Sequence, residues 1–220
     1  MKLRVGCPLP NGMKLSKGTS SSLAKLAESN IFEEIQFIPT QGCNIDCNRN
    51  TAIQSGWENG EASLINNIQS YQNIPNYDLF LSIDNDIEFN PEQVKKMVQY
   101  NLPIVSGSYT LRNNPELLTG GFFGDFNGST PQDKLVNSSS SGLNIVEWCG
   151  AGFLLCTRDA LFSMNYPWFK RYWVSIVDRG IEKEISVCDD VGFCINAKKH
   201  GISIHLDCDT RVIHHTDEQG

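Results

Sequence analysis

The stretch YDLFLSIDNDIEFNP, residues 77–91, carries an apolar run that ends on Asp84 and Asp86 with only Asn85 between them. Extended backbone repeats every two residues, so a strand continued through this point would aim both carboxylates the same way. Two like charges at one spot repel unless a cation lies between them, and Mg2+ or Mn2+ takes oxygen ligands of this kind. The competing reading is a polar turn, because Asp and Asn are common turn formers. An EF-hand loop is set aside, since Phe89 stands where that loop needs glycine. Two further acids, Asp189 and Asp190, precede the helical run VGFCINAKKHG. The free N–H groups of a first helical turn stabilise such acids, so capping competes there with catalysis. Two adjacent histidines, His214 and His215, close the last strand candidate.

These residues must be positioned by an alternation of strands and helices. LRVG is a short strand candidate, ended by a Pro- and Gly-rich loop, and TSSSLAKLAES has helical spacing behind a Ser/Thr start. EEIQFIP reads as a second strand closed by Pro39, and CNRNTAIQSGWENG with ASLINNIQSYQN reads as helix interrupted between Gly56 and Gly60. After the acid-ended strand, NPEQVKKMVQY opens a helix with Pro91 in its first turn, and LPIVSGSY is another buried strand. Residues 113–144, rich in Gly, Asn and Ser, read as a long functional loop or a short meander. VEWCGAGFLLCTRDAL restores regular structure ahead of the aromatic cluster YPWFKRYW. The last third holds a helix over 190–200 stopped by Gly201, then the alternating strand ISIHLDC and the final strand with its histidines. This pattern predicts one α/β domain over residues 1–220, with a mostly parallel central sheet flanked by helices. In such sheets ligands bind beyond the carboxyl ends of the strands, where Asp84 and Asp86 fall.

Composition narrows the function. A net charge of −7 argues against nucleic acid as a partner, because phosphate backbones need a basic face. An anionic small ligand would need a cation to mediate. No apolar stretch reaches the length of a membrane span, and the start, MKLRVGCPLPNG, is too broken by Pro8 and Pro10 for a signal peptide. The eight cysteines contain no C-x-x-C pair and several lie in apolar runs, so they are expected as free thiols in a reducing compartment, the cytoplasm. The sequons at Asn127 and Asn137 then carry no weight.

Four segments in order resemble the nucleotide-sugar glycosyltransferases of the GT-A fold, a Rossmann-type architecture, and in particular small members from viruses and phages. Arg49 and Asn50 match an Arg-Asn pair ahead of the family's metal strand, and YDLFLSIDNDIEFNP is similar to that strand with its D-x-D acids. VEWCGAGFLLCTRDAL, followed by Pro167, Trp168 and Phe169, is similar to the glycine-containing strand and its "PWF". SVCDDVGFCINAKKHGISIHLDCDTRVIHH resembles the acid-pair helix and the C-terminal metal histidine, with Cys188-Asp189-Asp190 in place of the commoner Glu-Asp.

The resemblance implies a metal-dependent transfer of a sugar from a nucleoside diphosphate sugar, a UDP-sugar first among donors, to a glycan or other hydroxyl acceptor. Residues 1–112 would form the nucleotide and metal half and residues 113–220 the acceptor half. Asp84, Asp86 and His214 would hold Mn2+ (or Mg2+), with His215 as fallback, and Asp190, paired with Asp189, would act as base in an inverting transfer. Pro8, Arg49, Asn50, Asn85 and Arg112 would line the donor. Gly150 and Gly152 would let backbone approach it closely, or simply form a tight strand entry. Trp148, Trp168 and Trp173 read first as core or loop anchors and second as sugar platforms. Two other functions remain in play: a sugar-phosphate nucleotidylyltransferase, for which GCPLPNGMKLSKG is a poor phosphate loop, and a non-catalytic sugar- or calcium-binding module.

Overall fold

The computed structural model describes residues 1–42, 44–58, 61–63, 76–111, 114–123, 136–178 and 181–215. Its apolar runs assemble into a seven-stranded sheet from β1 (Lys2–Pro10), β2 (Glu34–Gly42), β3 (Leu79–Ile83), β4 (Ile104–Ser108), β5 (Leu143–Val146), β6 (Phe153–Thr157) and β7 (Ile204–Arg211). The spatial order is β5-β7-β4-β6-β3-β1-β2. β1 runs parallel to β2 and β3, and β7 parallel to β4. β6 is antiparallel to both β3 and β4, and β5 to β7, so the sheet is mostly parallel with two reversed strands.

Among the described residues five helices, α1 (Lys17–Glu28), α2 (Ile45–Gln54), α3 (Pro91–Gln99), α4 (Arg158–Ser163) and α5 (Asp189–Lys199), cover both faces. The alternation within β3 shows how. Leu79, Leu81 and Ile83 pack with Leu26 of α1 and Val94 and Met97 of α3, while Phe80 packs with Ala52 and Ile53 of α2 and Phe193 and Cys194 of α5. A strand buried on both faces reads as a continuous apolar run, as LFLSI does. α3 starts as expected with Pro91 at its first turn, and the structure adds a reciprocal cap between Asn90 and Gln93.

Several boundaries differ from the sequence expectation. β1 continues through Pro8 to Pro10 and β2 continues past Pro39 to Gly42. β3 flanks β1 only from Leu3 to Gly6, and β2 is the sheet edge, so these prolines sit where a missing N–H breaks no ladder on one side. Gly56–Glu58 and Glu61–Ser63 form a small hairpin, so the helix expected at ASLIN does not start there; residues 64–75 lie outside the described residues. The described part of 113–144 is a meander, with Asn114–Leu118 against Thr110–Leu111 and Gly120–Gly121 against Trp148–Cys149. The hairpin of Tyr172–Asp178 with Ile181–Val187 was not anticipated at all. Among the described residues no helix is long and apolar enough to cross a membrane, and the seven described cysteines are free thiols, Cys43 lying outside them.

One buried charge holds α2 to the sheet. Arg4 of β1 is fully buried and donates from Nε and Nη2 to Gln36 Oε1 at 3.0 and 2.7 Å, and from Nη1 to the carbonyls of Ile53 and Ser55 at 3.1 and 2.6 Å. It thereby takes up carbonyls that the end of α2 leaves without helical partners. Burial pushes its guanidinium down to about 10, which still leaves it charged at neutral pH. Arg4→Met should lower stability by about 3 kcal/mol or more, since a hydrogen bond to a charged group contributes roughly 1.5–3 kcal/mol. Urea unfolding measures it; a loss under about 1 kcal/mol would mean that those carbonyls find other donors.

Candidate functional site

Asp84 is the first residue beyond β3. Its N–H donates to the Gly152 carbonyl at 3.0 Å, and the N–H of Ile87 donates back to the Asp84 carbonyl at 3.2 Å. The chain therefore turns at Asn85 and Asp86 instead of continuing as strand. This corrects the expectation that Asp84 and Asp86 share a strand face. Asn85 fastens the turn to the segment leading into α1. Its side-chain amide donates to the Lys14 carbonyl at 3.1 Å, and its own carbonyl accepts from the Ser16 N–H and the Thr19 hydroxyl.

Asp84 meets Arg49 of α2, with Oδ1 2.7 Å from Nη2, and the other arm of the same guanidinium, Nη1, grips Asp189 Oδ2 at the start of α5. Arg49 is buried, and its Nε finds no protein acceptor among the described residues. Burial alone would lower its pKa, but Asp84, Asp189 and Asp190 more than offset this and raise it, so the charge is fixed. The neighbouring Asn50 is occupied differently. Its side chain donates to the Phe169 carbonyl at 2.7 Å and accepts from the Phe169 N–H at 3.0 Å. It positions the PWF segment, whereas the sequence had placed it against a donor.

Asp190 follows Asp189 in the first turn of α5, half-buried, with Oδ1 accepting from the Val191 N–H at 2.8 Å. Burial pushes its carboxyl above the usual carboxylate range, against the pull of Arg49. Capping and a shifted, partly accessible acid are thus combined in one residue. Cys188 ahead of it is a neutral thiol, pushed up to about 12 by burial and by Asp190.

On the other side of Asp84 stands a residue that the sequence reading missed. Tyr109, just past β4, accepts the Gly152 N–H on its hydroxyl at 3.0 Å. A Cβ on Gly152 would lie 2.6 Å from that hydroxyl and 2.9 Å from Asp84 Oδ2, and one on Gly150 would lie 2.4 Å from the hydroxyl. Both glycines are needed for Tyr109 to approach. Burial and the nearby Asp84 and Asp190 hold the Tyr109 phenol well above its ordinary pKa, so it stays neutral. The only hint in the sequence was an aromatic residue placed directly after the strand run IVSGS.

Tyr109 also packs edge-on to His214, with ring centroids 5.3 Å apart. The strand Ile213–His214 pairs antiparallel with Ile87–Glu88, just beyond the acid turn, and this brings His214 Nε2 within 3.3 Å of Asp86 Oδ2. His215 points elsewhere, its Nε2 2.8 Å from Glu88 Oε2. A continuous path of contacts therefore runs Asp189–Arg49–Asp84–Gly152–Tyr109–His214–Asp86. Pro8 is buried at the end of β1, and the adjacent Cys7 thiol is pushed up by burial and then by Asp84 and Asp86, which places this strand end beside both acids. Arg112 lies outside the described residues. Among the described residues no three His, Cys, Asp or Glu side chains gather closely enough to form a ready metal cage.

No family model and no curated protein sequence matches the chain. Its fold is similar to that of A197 from STIV, a viral protein, with a TM-score of 0.54 at 15% identity over 100% of this chain and 97% of that one. At that identity the likeness is one of fold.

The Arg49 bridge yields a stability test. Arg49→Met leaves Asp84 and Asp189 without their shared cation and should cost about 3–5 kcal/mol, the usual scale for one partner removed from a buried pair. Adding Asp84→Asn and Asp189→Asn should recover most of that loss. If the triple variant unfolds at the same urea concentration as Arg49→Met alone, packing of the arginine stem and not charge is what matters.

Proposed function

We propose that the protein is a GT-A-type, metal-dependent glycosyltransferase that moves a sugar from a nucleoside diphosphate sugar, a UDP-sugar first among them, to a glycan hydroxyl. The observation that carries this reading is the contact path just described, which links the D-x-D acids, Asp189 of the α5 acid pair and a C-terminal histidine near the carboxyl end of β3, with Asp190 next in the chain. The nucleotidylyltransferase alternative needs a Gly-rich phosphate loop after the first strand, and here β1 remains strand through Pro10.

The chemistry of the donor set suits a divalent ion: Asp86 and His214 touch, while Asp84, held on Arg49, would have to join them, since the three do not gather into a cage among the described residues. Two carboxylates with one imidazole suit Mn2+ better than Mg2+, because nitrogen ligands prefer the softer ion. Asp84, Asp86 and His214 would hold the metal, which when bound neutralises charge growing on the departing diphosphate. The remaining work falls to the chain itself. Arg49 keeps Asp84 and Asp189 in place through one fixed charge. Asp190 takes the proton of the acceptor hydroxyl; that oxygen bonds to the sugar's anomeric carbon as the bond to the diphosphate breaks, which inverts the centre. A carboxyl pKa raised by burial is better matched to proton abstraction near neutral pH than an ordinary one.

Calorimetry in Mn2+ against UDP, GDP, CDP and dTDP sugars tests the donor class, and Asp86→Asn should abolish the Mn2+-dependent part of the binding. Unchanged donor affinity in that variant would sink the metal site.

Asp190→Asn should lower turnover by about a hundredfold or more, the scale of general-base loss. Its effect on stability has the opposite sign. A carboxyl whose folded pKa lies above its unfolded value favours the fold while protonated, and this benefit is lost as pH rises through the folded pKa. The amide should therefore raise the melting temperature at pH 7 and leave it little changed near pH 3. Wild-type turnover should fall with acid already above the pH range of an unperturbed aspartate, about 3.9. A variant that keeps full activity would leave Asp190 as a helix cap only.

A further inference from the structure

The hairpin of Tyr172–Asp178 and Ile181–Val187 stands apart from the central sheet and feeds directly into Cys188 and the acids of α5. Its root is seated on that helix. A Cβ on Gly192 would meet the Lys170 carbonyl oxygen at 1.7 Å and the Tyr172 ring at 3.0 Å, so α5 has no side chain where the hairpin leaves it. The Tyr172 ring is flanked by Lys170 and Lys199, whose ammonium groups lie 5.3 and 5.0 Å from its centroid. Directly opposed residues of an antiparallel pair share a face. Tyr172 and Val174, with Val187 and Ile185 across from them, form the inner face, buried or half-buried.

The other face is different. Trp173 lies opposite Ser186, Ser175 opposite Glu184, and Val177 opposite Glu182, and all six are exposed. Trp173 is 71% exposed and Val177 58%, so packing among the described residues does not account for a tryptophan there. We propose that this face is the acceptor-docking surface and that its occupant is a neutral saccharide chain. An indole plane offers a flat apolar surface with a negative π-face, suited to the C–H-lined face of a pyranose ring. The carboxylates and hydroxyls beside it accept and exchange hydrogen bonds with sugar hydroxyls. Among the described residues of the paired strands this face carries Glu182 and Glu184 and no cation, Arg171 lying just outside it, so the paired face disfavours phosphate-bearing partners. A symmetric contact with a second copy would set Glu182 and Glu184 against their own images. Proximity fits too: Ser186, opposite Trp173, is joined to Asp190 by at most about 14 Å of extended chain. The transferase reading is needed only for the docked chain's role as acceptor; docking itself is independent of any donor.

The test is a printed array of neutral oligosaccharides (gluco-, manno-, xylo- and chito-series), followed by titration of the strongest ligand. Wild-type protein should bind at least one series, Trp173→Ala should weaken that binding at least tenfold, and Trp173→Phe should restore most of it. Glu184→Gln should weaken it severalfold. Release of nucleoside diphosphate by donor hydrolysis should be unchanged in all three variants. The inference is overturned if the wild-type protein binds no series, if Trp173→Ala binds as the wild type does, or if sedimentation shows a wild-type dimer that Trp173→Ala turns into a monomer. Trp173-dependent binding without any donor turnover would remove the transferase reading and keep the docking face. Donor turnover with binding indifferent to Trp173 would do the reverse.

Discussion

A single buried guanidinium sets the terms for the rest of this molecule. Arg49 has one arm on Asp84 at the end of β3 and the other on Asp189 at the start of α5, joining segments 35 and 140 residues away. A charge buried to this degree survives only with paired and hydrogen-bonded partners. It therefore dictates where α2 lies, because Arg49 must face the sheet, and where α5 begins, because an acid must meet it there. The balance it leaves is informative. One guanidinium raised by three carboxylates, Asp84, Asp189 and Asp190, leaves an excess of negative charge in a half-buried place. Protonation is one outlet, and Asp190, whose carboxyl is pushed up first by burial and further by Asp189 against the pull of Arg49, is the residue best placed to take it. A bound cation is the other.

The second arm of the site depends on very little secondary structure. Two residues, Ile213 and His214, pair with two others, Ile87 and Glu88, and that short ladder decides which histidine meets Asp86. Had the register slipped by one, His215 would have taken the place. Tyr109 secures the arrangement from behind, wedged between the His214 ring and the backbone of Gly152. Such a wedge needs glycine at 150 and 152, so the close approach these residues provide is first of all to a tyrosine. The proposed donor surface is built on top of that packing and inherits its precision.

What the sequence disclosed, and what it did not, follows from the range of the interactions. The run LFLSI declared a strand covered on both faces because burial is written into each residue. The start of α3 was legible in Pro91, since capping is settled within one turn. Pro8, Pro10 and Pro39 misled, because their tolerance depends on which strand lies beside them, a fact of topology. Asn50 and Tyr109 were opaque for the same reason: their partners, Phe169 and Gly152, lie 119 and 43 residues away. At Asn85 the sequence left two readings open, a continued strand and a polar turn, and only the bonds from the Asp84 N–H to Gly152 and from the Ile87 N–H to Asp84 decide for the turn. Trp173, read first as a core or loop anchor within an aromatic cluster, is exposed because it sits on the uncovered face of a hairpin whose pairing the sequence did not disclose.

The charge balance constrains how the proposed reaction could be organised. A nucleoside diphosphate is itself an anion, and the end of β3 presents Asp84 and Asp86. Without a cation the two repel, so the acids cannot recruit the donor alone. Without the donor, Asp84, Asp86 and His214 would supply only three side chains to a proposed ion that takes about six ligands. Diphosphate oxygens would complete the shell that the protein leaves open. Metal and donor must then each raise the affinity of the other by the same factor, as linkage requires. On this reading the imbalance around Arg49 is the source of that coupling: the surplus negative charge makes the protein a poor receptor for either component by itself and a good one for both together.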